Sequence, residues 1–215
     1  MSSRDWYEAT YHRPPTPLVV AAVECLGRSG RAVEIGAGAG PDTRYLLQRG
    51  FQVTAVDADP AAQAFLERLP STDRLNIVIE RAEDFQPEAC DLIYSFLSLF
   101  FLRRAAFRRV WDKLVGALVP GSVLAVASLG DRDPWHQSRH TFREGWVLEE
   151  GGSFPTAEEW RDLTRDLDVR LLEMEERIVR TGIEGRPERH HIVQVLARSY
   201  PSCVASRPRA LLSLP

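Results

Sequence analysis

The sequence predicts an α/β protein built on a doubly wound, mostly parallel sheet of seven strands. Short apolar runs with strand character alternate along the chain with helix-like segments, which is the pattern of βαβ units. A glycine-rich stretch follows the first of these runs, at a position where such folds bind ligands. Polar turn formers over residues 181–187 separate the last two runs, so an antiparallel C-terminal hairpin is expected at one edge of the sheet.

The elements are placed by apolar periodicity and by the turn residues that bound them. Most predicted helices end close to a turn former, such as Gly27, Gly50 or Gly121. The predicted strands are 32–35, 52–57, 76–79, 92–95, 123–129, 169–176 and 191–197. The predicted helices are 17–26, 42–49, 61–69, 104–118 and 157–167.

The length predicts one domain. At 215 residues the chain can bury one sizeable core over residues 1–200, within which residues 1–27 form an N-terminal lid or helix segment. Residues 201–215 contain three prolines and no clear period, which is typical of a loosely ordered tail.

Composition and charge restrict the partners. Hydrophobic residues make up 44% of the chain and the formal net charge is -3, so the basic surface that nucleic-acid binding requires is not expected. Three cysteines without a C-x-x-C pair suggest neither a disulfide framework nor a zinc site. No apolar run approaches the ~18 residues of a membrane span. We therefore expect a cytoplasmic protein that acts on a small molecule, without nucleic acid or membrane as partner, and the oligomeric state stays open.

The glycine-rich stretch distinguishes two classes of ligand. Gly36, Gly38 and Gly40 follow a short apolar strand, where bare backbone allows a ligand to approach closely. The dinucleotide fingerprint G-x-G-x-x-G needs a third glycine where the chain has Pro41, so that fingerprint fails. What remains is E-x-G-x-G-x-G, beginning at Glu34. A plain glycine-rich turn is the alternative interpretation.

This stretch resembles the first motif of class I S-adenosylmethionine-dependent methyltransferases, which have a Rossmann-like fold. The resemblance implies S-adenosylmethionine as cofactor and S-adenosylhomocysteine as product. It also implies that Glu34, Gly36, Ala37 and Gly38 hold the methionine and ribose part of the cofactor.

The end of the second predicted strand supplies an acidic residue for the ribose. Asp57 lies about 20 residues beyond the glycines, where a carboxylate can accept both ribose hydroxyls, and Ala58 follows it. Either Asp57 or Asp59 could instead cap the helix that begins at Pro60, and Asp59 is the better cap.

Two further segments extend the resemblance in the family's order. After the third strand, the family often places a small residue and an acidic one against the adenine, which here would be Ala82, Glu83 and Asp84. The fourth strand resembles the family's D-x-[IV]-x-x stretch, which would bring Tyr94, Ser95 and Phe96 to the cofactor. Related families that methylate the exocyclic amine of adenine or glutamine side chains carry an N-P-P-Y type sequence here, and its absence argues against those acceptors.

Two more segments, one near the start of the chain and one after the fifth predicted strand, resemble a bacterial branch of small-molecule methyltransferases. Residues 6–15 are aromatic-rich and end in R-P-P, and in that branch the segment closes over the methionine end of the cofactor. Tyr11 and Arg13 are accordingly expected to bind the cofactor, with Arg13 pairing with its carboxylate. A G-D-R-D-x-W loop follows the fifth strand, as in the branch. The residues expected to meet the acceptor are Tyr7, Phe100, Asp131 and Trp135.

Histidines are the candidates for a general base near neutral pH. His12 and His140 lie in segments expected to meet at the pocket, whereas His136, His190 and His191 are placed less favourably. Asp131 and Asp133 could suggest a metal, but no third ligand is visible, so no metal is predicted.

The sequence therefore predicts a methyltransferase that transfers a methyl group to a small-molecule acceptor by in-line displacement. Two alternatives stay open: an NAD(P)-dependent oxidoreductase, and a regulator that binds S-adenosylmethionine without turnover. The acceptor atom, oxygen, nitrogen, sulfur or carbon, is not indicated.

Overall fold

A computed structural model describes residues 2–70, 72–137, 141–143, 146–147, 152–180 and 187–200. The seven strands of the main sheet are β1 (Arg31–Ile35), β2 (Gln52–Asp57), β3 (Leu75–Ile79), β4 (Cys90–Phe96), β5 (Leu118–Leu129), β8 (Asp168–Arg180) and β9 (Pro187–Arg198). A separate two-stranded sheet consists of β6 (Thr141–Arg143) and β7 (Trp146–Val147). The α-helices are α1 (Ser3–Thr10), α2 (Pro17–Leu26), α3 (Pro41–Gln48), α4 (Gln63–Leu66), α5 (Arg104–Gly116) and α6 (Ala157–Leu163).

The main sheet has the order β3-β2-β1-β4-β5-β9-β8. Strands β1 to β5 are parallel to one another, and β9 runs antiparallel to both β5 and β8. The seven predicted strands and the antiparallel C-terminal hairpin are therefore confirmed. The strand order reverses between β1 and β4, and folds of this kind bind ligands beyond the carboxyl ends of the strands at that point.

Helices cover both faces of the sheet. On one face, Leu18 and Val19 of α2 and Leu46 of α3 are buried in one apolar cluster. On the other face, Trp111 of α5 and Trp160 of α6 are fully buried, and their rings meet edge to face at 5.5 Å. Among the described residues they are the two largest side chains that are fully buried.

Three predicted helices are shorter in the structure. The helix expected over 61–69 is a 3-10 turn, Pro60–Ala62, followed by α4, and α6 ends at Leu163 rather than at 167. In both, the second residue beyond the helix donates to a carbonyl three positions back, as Arg68 does to Phe65 and Arg165 does to Asp162, so the last turn tightens instead of continuing the α-helix. Helix α5 ends at Gly116 because β5 begins at Leu118, which pairs with Cys90.

The N-terminal segment contains two helices. Helix α1 begins with a capping box, because the Ser2 hydroxyl accepts from the Asp5 amide and the Asp5 carboxylate accepts from the Ser2 amide. Helix α2 begins after Thr16, whose hydroxyl accepts from the Val19 amide. The predicted tail, residues 201–215, lies outside the described residues. Across the described ranges, none of the helices has both the length and the hydropathy of a membrane span.

Candidate functional site

The glycine loop joins β1 to α3 at the carboxyl end of β1. Gly36, Gly38 and Gly40 all have positive φ angles, of 77°, 56° and 78°, which only glycine adopts without strain. The amides of Gly36 and Ala37 both donate to the Val56 carbonyl, at 2.8 and 3.1 Å. The loop is thereby tied to β2, and its sharp turns leave backbone rather than side chains at the strand end.

A buried carboxyl group supports this loop from below. Glu34 is buried in β1, and the Thr43 hydroxyl at the start of α3 donates to its Oε2 at 2.5 Å. Burial, with the Asp42 charge nearby, raises the pKa of Glu34 to about 8. Glu34, which was predicted to contact the cofactor, thus links the strand before the glycine loop to the helix after it.

Asp57 connects the ends of β1 and β2. Its Oδ2 accepts from the Gly38 amide at 2.7 Å and its Oδ1 accepts from the Asp59 amide at 2.9 Å. Burial raises the pKa of Asp57, while these backbone hydrogen bonds act in the opposite direction. A carboxylate has about four acceptor positions, so these bonds leave acceptor capacity for the ribose that the sequence predicts here.

Asp59 caps the following turn, as the sequence predicts. Its Oδ1 accepts from the Ala61 amide at 2.9 Å. The Tyr7 hydroxyl donates to its Oδ2 at 3.2 Å, and the ring of Tyr7 lies 3.4 Å from where a Cβ on Gly38 would stand. Tyr7, predicted to meet the acceptor, is fully buried and fastens α1 over the glycine loop.

Asp42 is a buried carboxylate that binds two residues of the N-terminal segment, Arg13 and Thr16. It accepts from the Thr16 amide at 2.8 Å and from the Tyr94 hydroxyl at 3.1 Å, and it forms an ion pair with Arg13 at 2.9 Å. The Arg13 guanidinium also lies 5.5 Å from the centroid of the Phe96 ring. Burial raises the pKa of Tyr94 well above its usual value, so this phenol is a neutral donor.

Asp42 was not among the predicted site residues, because its position after Pro41 is typical of an ordinary acidic residue in the first turn of a helix. The structure brings Arg13, Tyr94 and Phe96, three of the predicted cofactor residues, together around it. Arg13 and Tyr94 bind this carboxylate, and their proposed contacts with the cofactor stay predictions.

Several other predicted cofactor residues have internal partners. The Ser95 hydroxyl is buried and donates to the Ile35 carbonyl at 3.0 Å. The Tyr11 hydroxyl donates to the Arg68 carbonyl at 3.3 Å, and the Arg44 and Arg68 guanidiniums lie over its ring, 4.7 and 4.4 Å from the centroid. Ala58 is exposed beside Asp57.

The segment predicted to face the adenine forms a single turn after β3. The amides of Asp84 and Phe85 both donate to the Arg81 carbonyl at 3.0 Å, and the Glu80 amide donates to the Asp57 carbonyl at 3.0 Å. Glu80 therefore lies beside the end of β2 that carries Asp57. The turn that contains Ala82, Glu83 and Asp84 begins at the next residue, Arg81. Lys113, which was not among the predicted site residues, donates from its ammonium group to carbonyls of this turn.

An aromatic cluster lies beyond β4 and β5. Phe100 packs against Phe101, Trp135 and Phe154, with ring centroids 4.3, 6.3 and 6.2 Å from its own. The structure thus brings together Phe100 and Trp135, two of the residues predicted to meet the acceptor.

The loop after β5 is fastened to β9 through a second carboxylate, Asp133. Its Oδ2 lies 3.0 Å from Nδ1 of His190 and accepts from the His191 amide at 2.9 Å, and its Oδ1 accepts from the Trp135 amide at 3.0 Å. Both histidines are buried, and Asp131 lies 3.7 Å from Nδ1 of His191. The pairing was missed because β9 brings these residues together from positions 57 and 58 apart in the chain.

The two histidines predicted to act as base are not brought together by the described part of the structure. His12 is exposed at the end of α1, with its ring edge to face on Tyr11 at 4.8 Å. His140 lies outside the described residues. His136 is exposed, and its Nδ1 lies 2.9 Å from the Asp131 carbonyl oxygen.

A depression of about 460 Å³ opens at the opposite edge of the sheet. Arg31, Gln52, Leu75 and Cys90 line it, and each of them stands at the amino end of a strand. Because ligands of doubly wound sheets bind beyond the carboxyl ends, this depression is not the cofactor site.

Comparison with known proteins agrees with the geometry. Residues 33–126 match the family described as methyltransferase domain. The matched segment runs from β1 into β5, so it contains the glycine loop, Asp57 and the turn at Ala82–Asp84. The predicted resemblance to class I methyltransferases is thereby confirmed.

Solved structures share the fold across most of the chain. TehB from Haemophilus influenzae has a TM-score of 0.72 at 17% identity, over 92% of this chain and 67% of that one. The N-methyltransferase NodS from Bradyrhizobium japonicum WM9, in complex with S-adenosylhomocysteine, has a TM-score of 0.61 at 18% identity, over 93% and 99%. The 1,6-didemethyltoxoflavin-N1-methyltransferase of Burkholderia thailandensis has a TM-score of 0.61 at 19% identity, over 92% and 87%. These likenesses establish the Rossmann-like methyltransferase fold.

One curated relative matches over a short segment. The ribosomal RNA small subunit methyltransferase A of Mycolicibacterium paratuberculosis (strain ATCC BAA-968 / K-10) is 43% identical over 61 residues. The match spans 28% of this chain and 18% of that relative.

Proposed function

We infer that this chain, which carries a methyltransferase domain on the class I Rossmann-like fold, is an S-adenosylmethionine-dependent enzyme that methylates a small-molecule acceptor. The observation that carries this proposal is the hydrogen bond between the Gly38 amide and the Asp57 carboxylate, 2.7 Å long. This bond joins bare backbone to the carboxylate that we propose binds the ribose, at adjoining strand ends where folds of this kind bind ligands.

The residues present fit the cofactor along its whole length. The loop of Gly36, Ala37 and Gly38 offers its backbone to the methionine part, and Asp57 keeps acceptor capacity for the ribose hydroxyls. The turn at Ala82–Asp84 lies next to Asp57 in the direction away from the glycine loop. The order of these three contacts matches that of methionine, ribose and adenine in the cofactor.

For methyl transfer, the protein mainly has to align the acceptor atom with the methyl group and the sulfur. The cofactor supplies an activated methyl group on a sulfonium sulfur, which a nucleophile can displace in line. The chain's part is to hold the acceptor atom opposite the sulfur and to exclude water. Helix α1, fastened by Tyr7 to Asp59, covers the glycine loop and performs that exclusion at the methionine end.

We propose that the acceptor lies between the glycine loop and the aromatic cluster of Phe100 and Trp135. An apolar aromatic wall suits a small planar or apolar metabolite better than a phosphate backbone. The net charge of -3 also opposes nucleic acid. Structural neighbours include a methyltransferase crystallised with 1,6-didemethyltoxoflavin, which is a molecule of this size class.

His12 remains the proposed general base of the described residues. Its ring is exposed and lies edge to face on Tyr11, and in this proposal it takes the proton of an acceptor hydroxyl, thiol or ammonium group that enters beneath α1. Replacement by alanine is expected to leave cofactor affinity unchanged within about twofold and to lower turnover by the ~100-fold that a positioned base supplies.

Calorimetry tests the cofactor assignment. The protein is titrated with S-adenosylhomocysteine and, for comparison, with NADH. One-site binding of the first ligand alone supports the proposal, and binding of NADH alone or of neither ligand contradicts it.

A radiolabel assay then tests the acceptor class. The protein is incubated with S-adenosylmethionine carrying a labelled methyl group and with pools of small metabolites, and ribosomal RNA is the control acceptor. Label in a small-molecule pool supports the acceptor proposal, whereas label in ribosomal RNA alone overturns it. Cofactor binding without transfer to either class favours the regulator over the enzyme.

A further inference from the structure

The chain contains a single lysine. Of its 27 basic residues other than histidine, 26 are arginines, and only position 113 is lysine. Lys113 lies in the last turn of α5, where any cation interacts favourably with the helix dipole. An arginine would meet that general requirement equally well, so the local environment of Lys113 has to explain the exception.

The ammonium group of Lys113 binds the turn that follows β3. Its Nζ donates to the Phe85 carbonyl at 2.7 Å and to the Glu83 carbonyl at 2.8 Å, and it lies 3.5 Å from the Ala82 carbonyl oxygen. Three carbonyls converging on one nitrogen match the three N–H groups of an ammonium ion, which point to the corners of a tetrahedron. A planar guanidinium cannot present its donors in this way.

These contacts fix the carbonyl end of the turn. In a helical turn the carbonyls point one way along the axis and the amides point the other way. Within the described residues, the Ala82 and Glu83 amides donate to no protein acceptor, whereas the Asp84 and Phe85 amides donate to Arg81. Lys113 therefore holds the turn from behind and leaves two amide donors available at its opposite end.

We propose that Lys113 is a positioning residue for adenine recognition, which it performs without touching the cofactor. It holds the turn at Ala82–Asp84 so that the free amides meet the acceptor nitrogens of the adenine ring. The proposal rests on the function proposed above, because it assigns the adenine to this turn. It predicts that Lys113 determines how well the protein distinguishes adenine from a related base.

The test compares two ligands that differ only in the base. S-Adenosylhomocysteine and S-inosylhomocysteine share the homocysteine and ribose, but hypoxanthine carries a proton on N1, where adenine offers an acceptor. Wild type is expected to prefer the adenine ligand at least tenfold. Lys113→Met is expected to lose most of that preference, and Lys113→Arg is expected not to restore it.

A matched control is available on the same helix. Arg109 is exposed on α5, and Arg109→Met removes the same charge four residues away from Lys113. This variant is expected to keep the wild-type preference. General destabilisation lowers the affinity for both ligands equally, so the ratio of the two affinities is unaffected by a purely structural effect. An unchanged ratio in Lys113→Met overturns the proposal.

A second measurement needs no variant. Trace acetylation of amines labels Lys113 and the chain's α-amine, and the α-amine is an internal reference. S-Adenosylhomocysteine is expected to slow the labelling of Lys113 several-fold, because the ligand holds the turn against the ammonium group. An unchanged labelling rate in protein that binds S-adenosylhomocysteine overturns the proposal, even if Lys113→Met does not fold. Failure of wild type to bind that ligand contradicts the proposed function instead.

Discussion

The Asp57 carboxylate accepts a hydrogen bond from the Gly38 amide at 2.7 Å, so the end of β2 sets the conformation of the loop that ends β1. The same carboxylate accepts from the Asp59 amide at 2.9 Å, which orients the residue that caps the next turn. The Asp57 side chain thus connects the glycine loop and the proposed ribose site to Asp59, which in turn contacts Tyr7.

Replacing Asp57 by alanine is expected to weaken binding of S-adenosylhomocysteine about 10- to 100-fold, because hydrogen bonds to charged groups contribute roughly 1.5–3 kcal/mol. Calorimetry measures the affinity. Asp73→Ala is the control, since Asp73 is an exposed carboxylate at the amino edge of the sheet, and it is expected to bind as wild type does. Equal affinity of Asp57→Ala and wild type would remove the ribose assignment.

Two glycine substitutions separate backbone strain from close packing. Gly36 and Gly121 have positive φ angles of 77° and 81°. A Cβ on Gly36 would lie 2.2 Å from the Ser98 hydroxyl oxygen, whereas a Cβ on Gly121 would meet nothing within 4 Å. Both alanine variants carry about 1–2 kcal/mol of left-handed strain, and Gly36→Ala adds about 1–3 kcal/mol of overpacking.

The free energy of unfolding in urea measures this difference. Gly36→Ala is expected to be the less stable variant and also to bind S-adenosylhomocysteine more weakly, while Gly121→Ala keeps the wild-type affinity. Equal losses of stability in the two variants would show that Ser98 yields to the added methyl group without cost.

Asp42→Asn is expected to lower the free energy of unfolding by about 2–3 kcal/mol. Removing one partner of a buried ion pair costs roughly 3–5 kcal/mol, and the smaller figure follows because the Arg13 side chain is 34% exposed and partly solvated. Asp162→Asn is the control, because Asp162 pairs with Arg108 on the surface and its loss should change stability little. A loss no larger in Asp42→Asn than in Asp162→Asn would show that Asp42 stabilises the fold no more than a surface ion pair does.

Much of the fold could be predicted from the sequence, because the information lies in local patterns. The strand before Gly36 and the helix from Pro17 are bounded by turn formers and capping residues, and both occur as expected. The glycine loop and Asp57 were found for the same reason, since each motif lies within a few residues of a strand end.

The remainder of the site depends on pairs that are distant in sequence. Asp42 meets Tyr94 across 52 positions and Asp133 meets His190 across 57, so neither pairing can be inferred from the residues that neighbour each carboxylate in the sequence. Lys113 was overlooked because a cation in the last turn of a helix needs no further explanation. The available signal was that Lys113 is the only lysine among the 27 lysine and arginine residues of the sequence.

The buried carboxyl of Glu34 predicts a pH dependence of stability. Burial raises the pKa of Glu34 to about 8, from an ordinary value of 4.5. Between these values the folded protein holds a proton that the unfolded chain has released, so the free energy of unfolding falls as the pH rises. The slope from this group is at most about 1.4 kcal/mol per pH unit, and its contribution is fully present below pH 4.5.

Glu34→Gln removes this titration and keeps an amide oxygen that can accept from the Thr43 hydroxyl. Urea unfolding at pH 6 and pH 9 is expected to show a smaller loss of stability in the variant than in wild type. The raised pKa of Asp57 acts in the same direction in both proteins, so it cancels in the difference between them. Glu67→Gln, at an exposed position, should follow wild type at both pH values. Parallel behaviour of Glu34→Gln and wild type would mean that Glu34 is already ionised in the folded protein at pH 6.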